Sequence, residues 1–326
     1  MLSKSAVLLY FLFSYYGYGN EFYCGRFRES FDSLLYNRVL IGQVIKSLFA
    51  RGGILSCAHR CLSLPSCSSY NYQMSESDYG VCELNGGKEG VQENLVEKVG
   101  YVFARLRKAP RSCKEARELT INPVSGFFCI QDNNGDMFKV YCDFTSEPGW
   151  AWTLVMSESL RNVGKPFTRQ ALFANEPMSP EVPNWEAYRL QLDRMKGLRS
   201  KSTYWRITCS FDPASVVDYR DYVRAKFKNF DLLTYRGDKT CELVDYINVH
   251  GHSCEKCTAV WYQSDGYILV HRSYQNNCEF GRAPGSIQDN DRYSEQNFGR
   301  YEVYNPNFRC TSSSSATTNY WFGLRV

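Results

Sequence analysis

The fourteen cysteines of this 326-residue chain constrain its fold more than any other feature. Cysteines in such number are typical of secreted proteins, in which disulfides form and persist. They fall into a group of five and a group of nine. The groups are Cys24, Cys57, Cys61, Cys67 and Cys82, and then Cys113, Cys129, Cys142, Cys209, Cys241, Cys254, Cys257, Cys278 and Cys310. Because each group is odd, either a disulfide joins the groups or two cysteines remain for partner chains.

The first nineteen residues have the pattern of a secretory signal peptide. Lys4 precedes an apolar run from Ser5 to Tyr16, and the small residues Gly17 and Gly19 follow the run. The run is shorter than the roughly 20 residues of a membrane-spanning helix, which disfavours a membrane anchor. We therefore expect residues 1–19 to be removed and the mature protein to be secreted and extracellular, with no membrane span.

The charge of the chain is close to balanced. It has 38 basic residues, one of which is Lys4 in the signal peptide, and 34 acidic residues. This small basic excess argues against a nucleic-acid partner and against a polyacidic, calcium-sequestering protein.

Strand and helix signals follow one another across the first cysteine group. Residues 39–45 are β-branched and indicate a strand. Residues 56–64 indicate a short helix with Ser56 as its N-cap, which places Cys57 and Cys61 on one helix face. Two further strands are predicted, at 68–72 and 80–84.

This segment resembles the PAN/apple module. The resemblance covers roughly residues 24–106 and rests on a Cys-x3-Cys helix, a third cysteine, an aromatic Ser-Tyr-Asn-Tyr strand and a final Cys-Glu-Leu strand. That family staples a helix to an antiparallel sheet, which implies the disulfides Cys57–Cys82 and Cys61–Cys67. The apple variant also joins its first and last cysteines. Cys24 has the first position but no cysteine lies near residue 100, so Cys24 stays unassigned or interdomain.

The second cysteine group opens with four submotifs. They are Cys113, Ser-Gly-Phe-Phe-Cys-Ile from Ser125, Val-Tyr-Cys-Asp-Phe from Val140, and Gly-Trp-Ala-Trp-Thr from Gly149. Their order and spacing resemble the start of a fibrinogen-like C-terminal domain, and this resemblance implies a Cys113–Cys142 disulfide. Beyond residue 155 the match weakens.

The two resemblances together predict a disulfide-rich, two-domain protein of the α+β class. A small PAN/apple domain at 20–106, an antiparallel sheet with one helix, is followed by a basic, proline-containing linker at 107–112. A divergent fibrinogen-like α+β domain then occupies 113–326. The combination resembles secreted cnidarian proteins, including those of the coral skeletal organic matrix. The cysteines with open pairings are Cys129, Cys209, Cys241, Cys254, Cys257, Cys278 and Cys310.

A short His- and Cys-containing segment suggests metal chemistry. His250, His252, Cys254 and Cys257 lie within eight residues and could supply a tetrahedral N2S2 zinc site. Their spacings are tighter than in a usual zinc finger, and secretion favours oxidised cysteines. We therefore favour a disulfide-stapled loop with exposed histidines over zinc or a redox-active Cys-x-x-Cys.

Asp289, Asn290 and Asp291 form a run of oxygen ligands. Fibrinogen-like domains bind calcium through an Asp-rich loop in this part of the fold, so the resemblance implies calcium as a cofactor here. The alternative is a polar turn, which Asn and Asp favour for their own backbone reasons. No other cofactor is indicated.

The tryptophans divide by their sequence context. Four fall in apolar, strand-like contexts and are predicted to lie in the core: Trp152, Trp205, Trp261 and Trp321. The neighbours of Trp150 and Trp185 leave these two freer to be exposed.

The sequence indicates non-enzymatic binding. With four histidines and no metalloprotease, nucleophile-elbow or phosphate-loop motif, no catalytic site stands out. Both resemblances favour an adhesion or recognition protein, lectin-like or matrix-binding, whose partners are extracellular glycans or matrix proteins. One alternative is a structural component of an extracellular or skeletal organic matrix, disulfide-crosslinked or a disulfide-linked oligomer, and associated with biomineralization. Another is a secreted enzyme with an unrecognised site.

Overall fold

The computed structural model describes residues 24, 30–75, 79–87, 94–120, 122–272, 278–289 and 293–326. The predicted signal peptide lies outside them. The chain divides into two compact units. The smaller unit is Arg26–Ala109, and the larger unit contains Cys24 together with Pro110–Val326. The boundary therefore falls inside the segment that the sequence indicated as a linker, whereas Cys24 groups with the larger unit.

The smaller unit is an antiparallel sheet with one helix. The helix is α1, Gly53–Leu62. The strands are β1 Ser30–Phe31, β2 Leu35–Leu40, β3 Val44–Arg51, β4 Cys67–Gln73, β5 Tyr79–Gly86 and β6 Leu95–Arg107. They are ordered β1-β6-β4-β5-β3, and β2 also pairs with β6.

Cysteines fix α1 to its sheet. Cys57 and Cys61 are fully buried, one turn apart on the same helix face. The helix starts earlier than predicted, with Gly52 rather than Ser56 at the N-cap. The strand predicted at 39–45 is also interrupted, because Gly42 takes a left-handed conformation that separates β2 from β3.

The larger unit contains short helices and many strands. Its helices are α2 Cys113–Glu118, α3 Pro166–Arg169 and α4 Leu192–Ser200, with 3-10 turns at Leu160–Asn162 and Arg309–Thr311. Its strands are β7 Gly126–Gln131, β8 Met137–Asp143, β9 Trp150–Ser159, β10 Ala187–Arg189, β11 Tyr204–Cys209, β12 Tyr222–Lys226, β13 Gly237–Val249, β14 His252–Ser264, β15 Tyr267–Arg272, β16 Gln288–Asp289, β17 Tyr293–Ser294, β18 Gln296–Asn297 and β19 Thr317–Arg325.

The described strands of the larger unit build one large antiparallel sheet. Its order is β18-β15-β14-β13-β12-β11-β19-β9-β8-β7, with β10 beside β9 and β16 pairing separately with β17. The last strand, β19, is thus inserted between β11 and β9. All ten residues of β9 are buried, so this central part of the sheet is covered on both faces.

Tryptophans fill this core. Trp152, Trp205, Trp261 and Trp321 are fully buried, as their apolar strand contexts predicted. Trp150 is also buried, contrary to expectation. It stacks on Trp152 with ring centroids 4.8 Å apart, because both belong to the covered strand β9.

The predicted fold class is confirmed in part. The protein is disulfide-rich and mostly antiparallel sheet, and its described helices contain at most ten residues. Antiparallel β structure therefore dominates over the α+β class that we expected. Among the described residues, no helix has the length and apolar character that crossing a membrane requires.

All fourteen cysteines are described, and all are paired within the chain. Three pairs are those that the resemblances imply: Cys57–Cys82, Cys61–Cys67 and Cys113–Cys142. The other four are Cys24–Cys129, Cys209–Cys310, Cys241–Cys278 and Cys254–Cys257. Cys24–Cys129 joins the two cysteine groups, which is one of the two outcomes that their odd numbers allow. A disulfide-linked oligomer would require one of these bridges to open.

Candidate ligand-binding pocket

A surface pocket lies in the larger unit where β11 ends and a polar loop, residues 210–221, leads to β12. Its volume is about 370 Å³, within the range of small-ligand sites. The residues that line it are 208–212, 215–218, 220–222 and Arg309.

A disulfide brings the two parts of this pocket together. Cys209 ends β11 and bonds Cys310, which places Arg309 beside the loop. Ser210 reinforces the junction: its N–H donates to the carbonyl oxygen of Thr317 at 2.7 Å, and its hydroxyl donates to that of Arg309 at 3.1 Å. The wall therefore unites segments about a hundred residues apart in the sequence.

The pocket loop stores backbone strain. Ser210, Tyr219 and Asp221 have φ values of 48°, 57° and 51°, in the left-handed region that side chains disfavour. Each such residue costs about 1 to 3 kcal/mol and persists only where its surroundings enforce it. Three of the eleven left-handed non-glycine residues among those described lie in this loop.

Asp221 is the fixed point of the pocket. Its side chain is fully buried, and its carboxylate accepts the backbone N–H groups of His250 at 2.7 Å and Arg309 at 3.0 Å. These two bonds satisfy a buried charge and hold three chain segments in one arrangement.

Arg309 and Asp218 form a two-bond ion pair at the rim, with N–O distances of 2.8 and 2.6 Å. The hydrogen bond from Arg309 holds the pKa of the Asp218 carboxyl below its usual range, and burial opposes this only in part. The paired geometry orients both side chains toward solvent as a rigid unit.

Two further charged groups complete the polar lining. The Asp212 carboxylate accepts the Ser215 hydroxyl at 2.6 Å and the Ala214 N–H at 2.9 Å, and both bonds lower its pKa. Arg220 is half exposed, and its Nε lies 3.9 Å from the Asp221 carboxylate. Its guanidinium thus keeps donors available to a ligand.

The lining also contains apolar side chains. Phe211, Val216 and Val217 belong to the loop, and the Tyr222 ring lies at the start of β12. The Tyr222 hydroxyl points away and donates to Glu147 at 3.2 Å. A ligand that carries both hydroxyls and carbon-bound hydrogens matches this mixed lining.

A row of aromatic rings extends from the pocket. Phe211 packs on Trp185 with centroids 5.5 Å apart, Trp185 on Tyr141 at 5.0 Å, and Tyr141 on Phe127 at 5.4 Å. Phe127 is 45% exposed, and Trp185 and Phe211 are half-buried. We call these four residues the aromatic row.

Of the three predicted calcium residues, Asp289 is described, and it does not line the pocket. Asp289 ends the short strand β16, while Asn290 and Asp291 fall outside the described residues. Across the part of the chain that is described, no three His, Cys, Asp or Glu side chains are grouped to hold a metal ion. Because two of the three residues lie outside the described ranges, calcium binding at this run stays a prediction.

The His- and Cys-containing segment is not arranged as an N2S2 site. Cys254 and Cys257 bond each other, so neither is a thiolate. The prediction that His250 is exposed is wrong, because its side chain is largely buried. Its ring Nε2 contacts Glu295 at 2.8 Å, and its Nδ1 lies 3.2 Å from the carbonyl oxygen of Pro284. His252 is exposed and stacks on Phe280.

Sequence reasoning missed the pocket residues. The available signal was a segment between two strands that contains Asp212, Asp218 and Asp221. Such a segment by itself resembles any polar loop. Comparison of the chain with models of known protein families gives no match.

Proposed function

We propose that this protein is a secreted, non-catalytic recognition protein whose larger unit binds a glycan in the pocket beside Cys209–Cys310. The observation that carries the proposal is the pairing of fixed polar groups with an apolar wall. Asp221 and the Arg309–Asp218 pair are held by hydrogen bonds before any ligand arrives. Such preorganisation lowers the entropic cost of binding.

A glycan suits this lining better than a charged metabolite. The acidic and basic side chains of the pocket largely pair with each other, so its net charge is small. Sugar hydroxyls can donate to carboxylates and accept from guanidinium groups, while the apolar ring face packs on Phe211 and Val217. Within the aromatic row, Phe127, Trp185 and Phe211 reach the surface and offer further packing area for a longer chain, whereas Tyr141 is buried.

The two units support a domain assignment that we also propose. The smaller unit would be a PAN/apple domain, supported by a helix stapled to an antiparallel sheet through Cys57–Cys82 and Cys61–Cys67. The larger unit would be a divergent fibrinogen-like domain, supported by its opening motifs and Cys113–Cys142. Both families serve extracellular recognition, which agrees with a binding role.

A glycan array probed with the labelled, folded protein tests the proposal. We expect selective binding that Arg220→Ala weakens at least about tenfold, because this side chain offers its donors to solvent. Arg236→Ala is the matched control, since it removes an equally exposed arginine that pairs with Asp265 outside the pocket. Equal loss in both variants, or binding unchanged in Arg220→Ala, would refute the assignment to this pocket.

Calcium dependence is part of the same proposal, and a chelator arm on the array tests it. Loss of binding with chelator and recovery with calcium would support a calcium requirement. Binding that does not change with chelator would refute the calcium requirement and leave the pocket assignment unaffected. Silence on the array, with recovery of the protein from insoluble matrix, would instead favour the structural role.

A further inference from the structure

One disulfide differs from the others in its place in the fold. Cys254 and Cys257 belong to the same strand, β14, and are three residues apart. The other six bridges join cysteines 6 to 105 residues apart. Because it closes so short a loop, Cys254–Cys257 constrains the unfolded chain least. It also holds no separate element in place, since β13 already pairs with β14 on both sides of it.

The strand must distort to form this bridge. Residues three apart in a regular strand point to opposite faces, so their side chains cannot meet. Here Lys256 takes φ 49°, a left-handed conformation within β14. This residue turns the chain so that Cys254 and Cys257 reach the same side. The bond is thus tied to a strained backbone position that its opening would release.

Access to the two sulfur atoms is unequal. Cys254 is partly exposed, whereas Cys257 is 3% exposed. The residues between them are exposed, and the neighbouring strand β15 pairs with β14 only from Trp261 to Ser264. An external thiol therefore approaches Cys254.

We propose that Cys254–Cys257 is a thiol–disulfide exchange site that reacts with an external thiol. The external thiolate attacks Sγ of Cys254, the Cys254–Cys257 bond breaks, and a new disulfide forms between Cys254 and the external sulfur. Cys257 leaves as a thiolate, so the first step involves no net oxidation or reduction. A second external thiol, or the second sulfur of a dithiol, then releases the protein as a dithiol and carries away the oxidised disulfide.

Exchange at this site has a structural consequence for the pocket. The turn before β14 is His250–Gly251, in which both residues are left-handed. The backbone N–H of His250 donates to Asp221, the fixed point of the pocket. Relaxation of Lys256 would reach this turn through the β13–β14 pairing, so opening of the bridge should loosen the His250–Asp221 contact.

Graded reduction followed by alkylation and peptide mass spectrometry tests the proposal on the unmodified protein. We expect Cys254–Cys257 to open at a dithiothreitol concentration roughly tenfold below that needed for Cys241–Cys278. The latter is the matched control because Cys241 is exposed and lies on β13, the strand that pairs with β14, yet its bridge closes a longer loop. If Cys241–Cys278 opens first or together with Cys254–Cys257, the proposal fails.

Single-cysteine variants test the direction of attack. Cys257→Ser leaves Cys254 as a thiol, and Cys254→Ser leaves Cys257. With oxidised glutathione we expect the first variant to form a mixed disulfide at least about tenfold faster, because thiol reactivity follows exposure. Equal rates would contradict attack at Cys254. Neither result depends on whether the pocket binds glycans.

Hydrogen exchange across residues 248–258 tests the consequence for the pocket. Selective reduction should increase exchange at the His250 amide, and the Cys254→Ser/Cys257→Ser variant should show the same increase without reductant. Unchanged exchange at His250 in both samples would contradict an effect of the bridge on the pocket.

Discussion

The guanidinium of Arg206 lies 2.6 Å from Oδ2 of Asp143, and neither side chain reaches solvent. Its other terminal nitrogen lies 2.9 Å from Glu147. The same guanidinium is sandwiched near the rings of Trp152 and Trp321 at 4.7 and 4.8 Å. Burial alone would raise the pKa of Asp143, but Arg206 and the Ser146 donors hold it below its usual range. This ion pair joins β8 to β11.

Removing Arg206 should therefore destabilise the larger unit strongly. We expect Arg206→Met to lower the free energy of unfolding by about 3 to 5 kcal/mol, because it leaves the buried Asp143 carboxylate without its cation and leaves Glu147 with Arg224 alone. Chemical denaturation followed by tryptophan fluorescence measures this. Arg236→Ala, at an exposed pair, should stay within about 0.5 kcal/mol of the unmodified protein. Similar losses for both variants would contradict a special role for the buried pair.

Ionisation of the buried Glu158 should lower the stability of the protein as the pH rises. Glu158 is fully buried, and its carboxyl group has no well-formed hydrogen bond among the described residues, although the Tyr320 hydroxyl lies close enough to lower its pKa in part. Burial raises the pKa of Glu158 from 4.5 to about 8, and the Arg189 charge opposes the rise only in part. The folded state thus keeps a proton that the unfolded chain releases between these values. Stability from this group is complete below pH 4.5 and is lost as the pH rises to about 8.

The variant Glu158→Gln removes this titration while keeping a neutral side chain of similar shape. We expect its stability relative to the unmodified protein to grow as the pH rises above about 4.5 and to level off above about 8. Urea unfolding at a series of pH values measures the difference. A difference that is constant with pH would show that Glu158 is ionised in the folded protein.

His271 gives the opposite, acid sensitivity. Its ring is fully buried between Trp261 and Phe280, and its Nδ1 lies 3.2 Å from the side-chain oxygen of Asn297. Burial lowers the pKa of His271 from 6.5 to about 4, despite the Asn297 hydrogen bond. Stability from this group is present above pH 6.5 and is lost as the pH falls toward 4.

Replacing His271 by Gln should reduce the loss of stability at acid pH. We expect the variant to be less stable near pH 7, because it repacks a core position, but to lose less stability between pH 6.5 and 4. Thermal unfolding across this range measures the slope. Parallel pH profiles for the two proteins would contradict a neutral, buried His271.

The Cys24–Cys129 bridge can be tested directly. Non-reducing peptide mapping should recover these two cysteines in one disulfide-linked peptide pair. Because the bridge closes a long loop, replacing both by Ser should lower the stability by about 2 to 5 kcal/mol. Recovery of Cys24 as a free thiol, or linked to a second molecule, would contradict the intrachain bridge.

Local patterns predicted much of the smaller unit. The spacing of Cys57 and Cys61 indicated a helix face, and α1 occupies most of the predicted range. The strands predicted at 68–72 and 80–84 lie within β4 and β5. These elements depend on nearest neighbours in the sequence, which a linear pattern records. The helix start differed because a left-handed glycine, rather than a side-chain cap, precedes it.

The pocket could not be predicted in the same way. Its lining depends on Cys209 meeting Cys310, a pairing that the sequence left among many possibilities. Asp221 and His250 look like ordinary polar residues until tertiary contacts bury them.

The sequence by itself determined that the chain is cysteine-rich, that its cysteines form two odd groups, and where several strands and one helix lie. It also contained the motifs from which three disulfides were implied. The tertiary structure decided that β19 enters the centre of the large sheet and that Cys24 reaches Cys129. It also decided which charges are buried. The physical reason is range: hydrophobic periodicity and capping act over a few residues, whereas strand order, burial and disulfide partners depend on contacts between distant segments.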